Sequence, residues 1–250
     1  MSKKIRIFAG PNGSGKTTLF NRIWEHYHYN IGVFVNADSI ESIIKEKGKL
    51  PFVDFKIEVA QTELIDFFLH STLAKRAEID FSDSFEVVDN IFGIKKESYN
   101  SYLAAILAEF IRQKLLTSEN TFSTETVMSD PSKIELIKTA REKGFKVYLY
   151  YITTDDVRIN IERVNSRVQA GGHSVPIEKI KERYTRSLNL LYEGIKNSDR
   201  VFLVDSTELP IRLIAEVSEG NVNVKSDRIP NWYIQNIENK ILESRNPDVL

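Results

Sequence analysis

Two periods of apolar residues alternate along the chain. Ile5 to Ala9 (IRIFA) is a continuous apolar run closed by Gly10, the pattern of a buried strand. From Gly15 to Glu25 the apolar residues Leu19, Ile23 and Trp24 fall on one side of a helix. Val33 to Asn36 predicts a second buried strand, and Ile40, Ile43 and Ile44 place a helix over Ser39 to Glu46. The pattern loosens between Gly48 and about Asn100. There Phe55 to Leu73 reads as a helix on Val59, Leu64, Phe67 and Phe68, and Phe85 to Ile91 as a strand with Phe92-Gly93 as its turn. Ser98 to Leu116 is a helix on Leu103, Ile106, Leu107, Phe110 and Ile111.

Regular alternation then returns. Thr121 to Thr126 predicts a strand, and Pro131 to Lys143 a helix opened by proline and ended by Gly144. Lys146 to Ile152 is a strand, Asp155 to Ala170 a helix, and Gly171-Gly172 a break before a helix from Pro176 to about Lys196. Val201 to Val204 is a strand, Ile211 to Lys225 a hairpin around Glu219-Gly220-Asn221, and Trp232 to Glu243 a closing helix. Strands alternating with helices imply an α/β fold with a mostly parallel central sheet flanked by helices in three layers. We expect one domain over 1–209, with a helical insertion at about 48–118 and a lid at about 163–186. A hairpin and helix form an appendix over 210–250.

Composition narrows the function. The 250 residues carry 34 Lys and Arg against 35 Asp and Glu, a formal net charge of −1. That balance weighs against a protein built to grip nucleic acid, which shows a basic excess. With no cysteine, disulfides, thiolate metal sites and a cysteine nucleophile are excluded. The opening MSKKIRIFAG has no apolar stretch long enough for a signal peptide, and no segment reaches the length of a membrane span. A soluble cytoplasmic protein is expected.

The most specific chemistry lies after the first strand. Gly10 to Thr17 reads GPNGSGKT and fills the phosphate-loop pattern GxxxxGK[ST] through Gly10, Gly15, Lys16 and Thr17. Glycines let backbone N–H groups turn toward a phosphate, and the following helix offers its positive end. Lys16 should reach the β- and γ-phosphates of a triphosphate, and the Thr17 hydroxyl should ligate Mg²⁺. Gly10, Pro11, Asn12, Gly13, Ser14, Gly15, Lys16, Thr17 and Thr18 are therefore the expected ATP-binding residues. No NKxD motif points to a guanine switch and no LSGGQ-like signature to a transporter ATPase. The acid-terminated runs Val201–Asp205 and Phe85–Asp89 fit an ATPase acid poorly, which raises the kinase reading.

Three further groups complete the expected site. Asp38 follows the second strand, where a kinase needs a carboxylate to take the proton of an attacking hydroxyl. The rival role for Asp38 is helix capping, which Ser39 could serve instead. Glu125 and Thr126 hold the corresponding position after the third strand (TFSTET) and suit contacts to an acceptor substrate. Arg163 and Arg167 lie four apart on one helix and Arg183 and Arg186 three apart on the next, joined through Gly171-Gly172-His173. An arginine-rich lid can neutralise charge on a transferring phosphoryl group, which makes Arg163 an expected ATP-binding residue as well. Glu162, Glu178 and Glu182 are also placed to pair with these arginines on the surface.

The segments FAGPNGSGKTT, VNADSI, FSTETVMSDPSKIELIKTAREKGFKVYLYYI, RVNSRVQAGGHSVPIEKIKERYTRSL and VFLVDST together resemble the zeta-toxin-type P-loop kinases, especially relatives described as predicted ABC-type ATPases or P-loop kinases. The resemblance implies a P-loop kinase fold that uses ATP with Mg²⁺. It implies transfer of the γ-phosphoryl group to a hydroxyl of a nucleotide sugar such as UDP-N-acetylglucosamine or a similar small-molecule acceptor, and an antitoxin protein as partner. On that pattern Lys16 matches the phosphate-binding lysine and Asp38 the general base. Glu125 and Thr126 match substrate contacts, as Asp38 also does, and Arg167 and Arg183 match arginines on the ATP phosphates. The segment from Gly48 to Asn100 has no counterpart in the family. An ATP-binding regulatory module with slow hydrolysis and a polynucleotide kinase are the alternative functions.

Overall fold

The structure is a computed structural model describing residues 3–27, 31–77, 84–94, 101–118, 120–172 and 174–245. His173 and residues 78–83 and 95–100 of the expected insertion lie outside the described residues. In chain order the elements are β1 (Lys4–Ala9), α1 (Lys16–Tyr27), β2 (Val33–Val35), α2 (Ala37–Lys47), β3 (Lys49–Pro51), a 3₁₀ turn (Phe52–Phe55), α3 (Gln61–His70) and α4 (Thr72–Ala77). There follow β4 (Phe85–Val88), β5 (Ile91–Ile94), α5 (Ser101–Thr117), β6 (Phe122–Thr126), α6 (Ser132–Glu142), β7 (Lys146–Thr153) and α7 (Val157–Gln169). The chain ends with α8 (Ile177–Lys196), β8 (Arg200–Asp205), β9 (Arg212–Ser218), β10 (Asn221–Val224) and α9 (Asn231–Tyr233). A π-helical turn (Ile234–Glu238) leads from α9 into α10 (Asn239–Arg245).

The elements form two compact units, residues 1–29 with 125–250, and residues 30–124. In the first unit β1, β7 and β8 run parallel, with Phe8 opposite Tyr150 and Tyr150 opposite Phe202. One sheet face carries Ile5, Ile7, Val147, Leu149, Tyr151, Val201 and Leu203, each buried. On this face Tyr151 shares a 3.0 Å hydrogen bond with Ser187 of α8, and a Cβ at Gly194 would sit 3.2 Å from Leu149. Burial pushes the Tyr151 phenol far above its ordinary range, so it stays a neutral hydrogen-bonding group. On the other face Phe20 of α1 meets Phe8 edge-on at 5.2 Å. Helices on both faces of a mostly parallel sheet make the three-layer α/β fold that the alternating pattern implied.

The expected hairpin is present, and it belongs to this sheet: β9 pairs antiparallel with β8, and β10 with β9. Its turn residues Glu219 and Gly220 both have positive φ, the two-residue geometry that matches strand twist. The closing helix is anchored by Trp232, whose indole donates to Asp205 at 2.8 Å while its backbone N–H donates to Asp155 at 2.9 Å.

In the second unit β2 lies parallel to β6, with Val33 opposite Phe122. A separate antiparallel sheet has the order β3-β5-β4. Two local expectations are corrected here. The turn falls at Asp89-Asn90, not at Phe92-Gly93, because Asp and Asn tolerate positive φ (51° and 62°) and the apolar Ile91–Ile94 completes a strand. The helix expected from Phe55 begins only at Gln61, because Lys56 sits at φ 56° and ends the 3₁₀ turn. Helix α5 is buried on most of its surface, through Leu103, Ala104, Ile106, Leu107, Ala108, Phe110, Ile111 and Leu115. Such a helix is a core element rather than an amphipathic covering one.

Arg112 interrupts that apolar surface. Its guanidinium donates to Thr124 Oγ1 at 3.1 Å and to Glu109 Oε2 at 3.0 Å, and the Thr124 hydroxyl donates to the Val35 carbonyl at 2.9 Å. A buried cation is tolerated only when it is paired and hydrogen-bonded in this way. Arg112→Ala should therefore destabilise the protein by about 2–3 kcal/mol in urea unfolding, a loss set by the deleted bonds and the cavity. A loss below about 0.5 kcal/mol, the range of an ordinary surface change, would refute this role.

Candidate functional site

β1 delivers its buried apolar run directly into Gly10, at φ 143°. A Cβ on Gly10 would lie 1.9 Å from the Ile152 carbonyl oxygen, and one on Gly13 2.5 Å from the Asn160 carbonyl oxygen. Only glycine lets the loop seat this closely on β7 and α7. The Gly10 N–H donates to the Thr126 carbonyl at 3.2 Å, fixing the start of the loop to the end of β6. Lys16 folds back over the loop, its amine donating to the carbonyls of Gly10 at 3.0 Å and Pro11 at 2.9 Å.

The open side of this loop fits an anion. Neither the Gly13 nor the Gly15 N–H has an acceptor among the described residues, and a Cβ at Gly15 would meet nothing within 4 Å. Donors without an acceptor beside an ammonium group and a helix N-terminus suit a phosphate. The Thr17 hydroxyl donates to Glu125 Oε2 at 3.0 Å. A hydroxyl beside a carboxylate is a hard-oxygen pair suited to Mg²⁺, which takes few protein ligands and completes its shell with phosphate and water. Among the described residues no group of three or more His, Cys, Asp or Glu could hold a metal by itself.

The Glu125 bond to Thr17 was not legible in the chain. A search for an acid ending an apolar strand points to Asp205 and Asp89. Asp205 instead accepts from the Thr207 N–H at 2.9 Å and the Thr207 hydroxyl at 3.1 Å, besides the Trp232 indole, and is a structural anchor. Asp89 is a hairpin turn residue. β6 escapes such a search because it carries Ser123 and Thr124, whose hydroxyls donate to the Ile31 and Val35 carbonyls. Beside Glu125, the Thr126 hydroxyl accepts from the Met128 N–H at 3.1 Å.

The arginine segment separates into distinct environments. Arg163 is half-buried and donates through both terminal nitrogens to Ser206, at 3.2 Å to Oγ and 2.6 Å to the carbonyl. Arg167 is exposed and Arg183 half-exposed on α7 and α8, while Arg186 pairs with Glu182 at 2.6 Å. Tyr184, beside Arg183, donates to the Thr154 carbonyl at 2.7 Å, and burial, with Asp155 nearby, pushes its phenol up to about 12. The far half of α8 buries Ser187, Leu188, Leu191 and Ile195, and its first turn buries Ile180.

Asp38 lies in the second unit, at the second residue of α2. The cap of α2 is Asn36, whose side-chain oxygen accepts from the Asp38 backbone N–H at 2.8 Å. Neither Asp38 nor Ser39 serves as the cap, and the exposed Asp38 carboxylate is left for other chemistry.

No protein-family profile matches the chain. An uncharacterized protein of Haemophilus influenzae is 43% identical over 63 residues, 25% of this chain and 45% of that protein. The fold is similar to that of a chain in the AvrRxo1-ORF1:AvrRxo1-ORF2 complex with sulphate ions, at 14% identity and a TM-score of 0.57 over 90% of this chain and 62% of that one. The same complex with ATP gives 15% identity and a TM-score of 0.55 over 90% of this chain and 61% of that one. A chain of the PezAT chromosomal toxin-antitoxin system of Streptococcus pneumoniae is 14% identical with a TM-score of 0.52, covering 99% of this chain and 86% of that one. The chain thus spans under half of its curated relative and about three fifths of the AvrRxo1 chains. At these identities the structural likeness is one of fold: an α/β domain with a mostly parallel central sheet flanked by helices.

Proposed function

We propose that the protein is an ATP-dependent phosphotransferase that moves the γ-phosphoryl group to a hydroxyl of a nucleotide sugar or similar small metabolite. The observation that carries this reading is the phosphate loop, with Lys16 poised over it and the Thr17 hydroxyl bonded to Glu125. The loop N–H groups and Lys16 bind the phosphates, and Thr17 with Glu125 would hold Mg²⁺, which would neutralise charge on the phosphates. Asp38 takes the proton of the acceptor hydroxyl, and Arg167 and Arg183 approach the phosphates when the lid closes. Arg163, in contrast, is engaged by Ser206. Two similar folds support the reading, one crystallised with ATP and one from a toxin-antitoxin system. The second also motivates an antitoxin partner.

Labelled ATP offered with a fractionated metabolite extract tests the proposal. The expected result is label transfer to one acceptor class by the wild type and its near-complete loss in Asp38→Asn. ATP consumption that no fraction accelerates would overturn it. If the protein is a toxin, its expression arrests growth and Lys16→Ala relieves the arrest.

A further inference from the structure

We infer that Asn160 and Arg163 of α7, with Ser206 after β8, are positioning residues that aim the phosphate loop's N–H groups at the nucleotide. The inference rests on the nucleotide-binding part of the proposed function.

The Asn160 side-chain amide donates to the Asn12 carbonyl at 2.6 Å, while its own oxygen accepts from the Thr154 hydroxyl, which fixes the amide's orientation. The Ser206 hydroxyl donates to the Ser14 carbonyl at 2.8 Å. Ser206 is in turn held from both ends. Its N–H donates to the Thr153 carbonyl at 2.8 Å, and the Arg163 guanidinium grips its Oγ and its carbonyl together. Two loop carbonyls, those of Asn12 and Ser14, are therefore pinned from outside the loop.

A trans peptide is planar, and its N–H points opposite to its C=O. Pinning the Asn12 carbonyl turns the Gly13 N–H the other way, and pinning the Ser14 carbonyl does the same for the Gly15 N–H. Both of these glycine N–H groups lack an acceptor among the described residues. Glycine at both positions permits many other plane orientations. The pins select one of them, and preorganised donors bind an anion without a reordering cost. Arg163 thus acts on phosphate through Ser206 and the Ser14 peptide, whereas a lid arginine touches phosphate itself.

The test is a double-mutant cycle read by calorimetric MgATP affinity, well below the melting temperature of every variant. Ser206→Ala and Arg163→Ala should each weaken MgATP binding about tenfold, roughly one lost charge-assisted interaction. The double variant should be no weaker than the worse single one, because both remove the same link. Asn160→Ala should add its own loss on top. If Arg163→Ala does not fold, Arg163→Lys, which keeps one donor for the Ser206 carbonyl, replaces it with a smaller expected loss. Additive losses would mean that Arg163 contacts the nucleotide directly and would overturn the inference. So would wild-type affinity in the single variants, even if they melt earlier. A wild type that binds no MgATP would overturn the nucleotide reading itself, an outcome distinct from either.

Discussion

Lys16→Ala is expected to lower MgATP affinity by about 10²–10³-fold, the loss of roughly 3–4 kcal/mol of charge-assisted contact with the phosphates. The Lys16 amine already lies over the loop, held 3.0 Å from the Gly10 carbonyl and 2.9 Å from the Pro11 carbonyl. No rearrangement of the backbone is needed to present it to a phosphate. The variant loses the cation and two part-buried hydrogen bonds to loop carbonyls. Its folding stability should therefore fall by only about 1 kcal/mol, far less than its binding. Calorimetric titration with MgATP beside a urea melt separates the two effects. Unchanged affinity would remove the lysine from the phosphate site, and equal losses in binding and stability would make it a structural residue.

Asp38→Asn should do the reverse. MgATP affinity should stay within about twofold of wild type, while turnover on the accepted hydroxyl falls by about 10²–10⁴, the range for loss of a general base. The argument turns on the cap of α2. Asn36 receives the Asp38 backbone N–H, and that bond does not depend on the Asp38 side chain. The substitution keeps shape and removes only the charge, which in the first turn of a helix is worth about 0.3–1 kcal/mol. A rate loss equivalent to several kcal/mol could not come from so small a change in the fold. Steady-state kinetics with the identified acceptor decides the matter, and wild-type turnover would sink the assignment.

The two variants probe residues, one in each compact unit, that differ in how far the sequence revealed them. The phosphate loop is a contiguous string whose function follows from local backbone geometry, so its residues are readable in order. The role proposed for Asp38 is nearly as local, since it is read from the end of one apolar strand. Its freedom from capping was not readable, because Asn36, Asp38 and Ser39 are all good capping residues and the choice among them is made by backbone dihedrals at Asn36. The pairing of Thr17 with Glu125 joins residues 108 positions apart and depends on which strand end meets the loop. Arg163 shows the limit from the other side. Its helical spacing with Arg167 suggests a shared face and a shared task, yet one side chain turns to Ser206 while the other is exposed.

The insertion was hardest to read for a physical reason. Its core is built on α5, which is legible as a helix but is apolar on nearly every side, so its pattern does not say which face meets which partner. Short strands such as Lys49–Pro51 and Ile91–Ile94 hold their places by pairing with each other rather than by local preference. Arg112, a charged residue in the most apolar helix, is explained only by Glu109 and Thr124 around it.

From the sequence by itself come the α/β alternation, the phosphate loop, the strand-end carboxylates and the two helices flanking the Gly171-Gly172 turn. Each is a matter of short-range periodicity and backbone chemistry. The tertiary structure alone decided that Glu125 bonds Thr17, that Asp205 anchors Trp232, and that Asn160 and the Arg163–Ser206 pair hold the loop carbonyls. Hydrogen bonds between groups far apart in the chain depend on distances of a few tenths of an ångström, and only the packed sheet and helices set those.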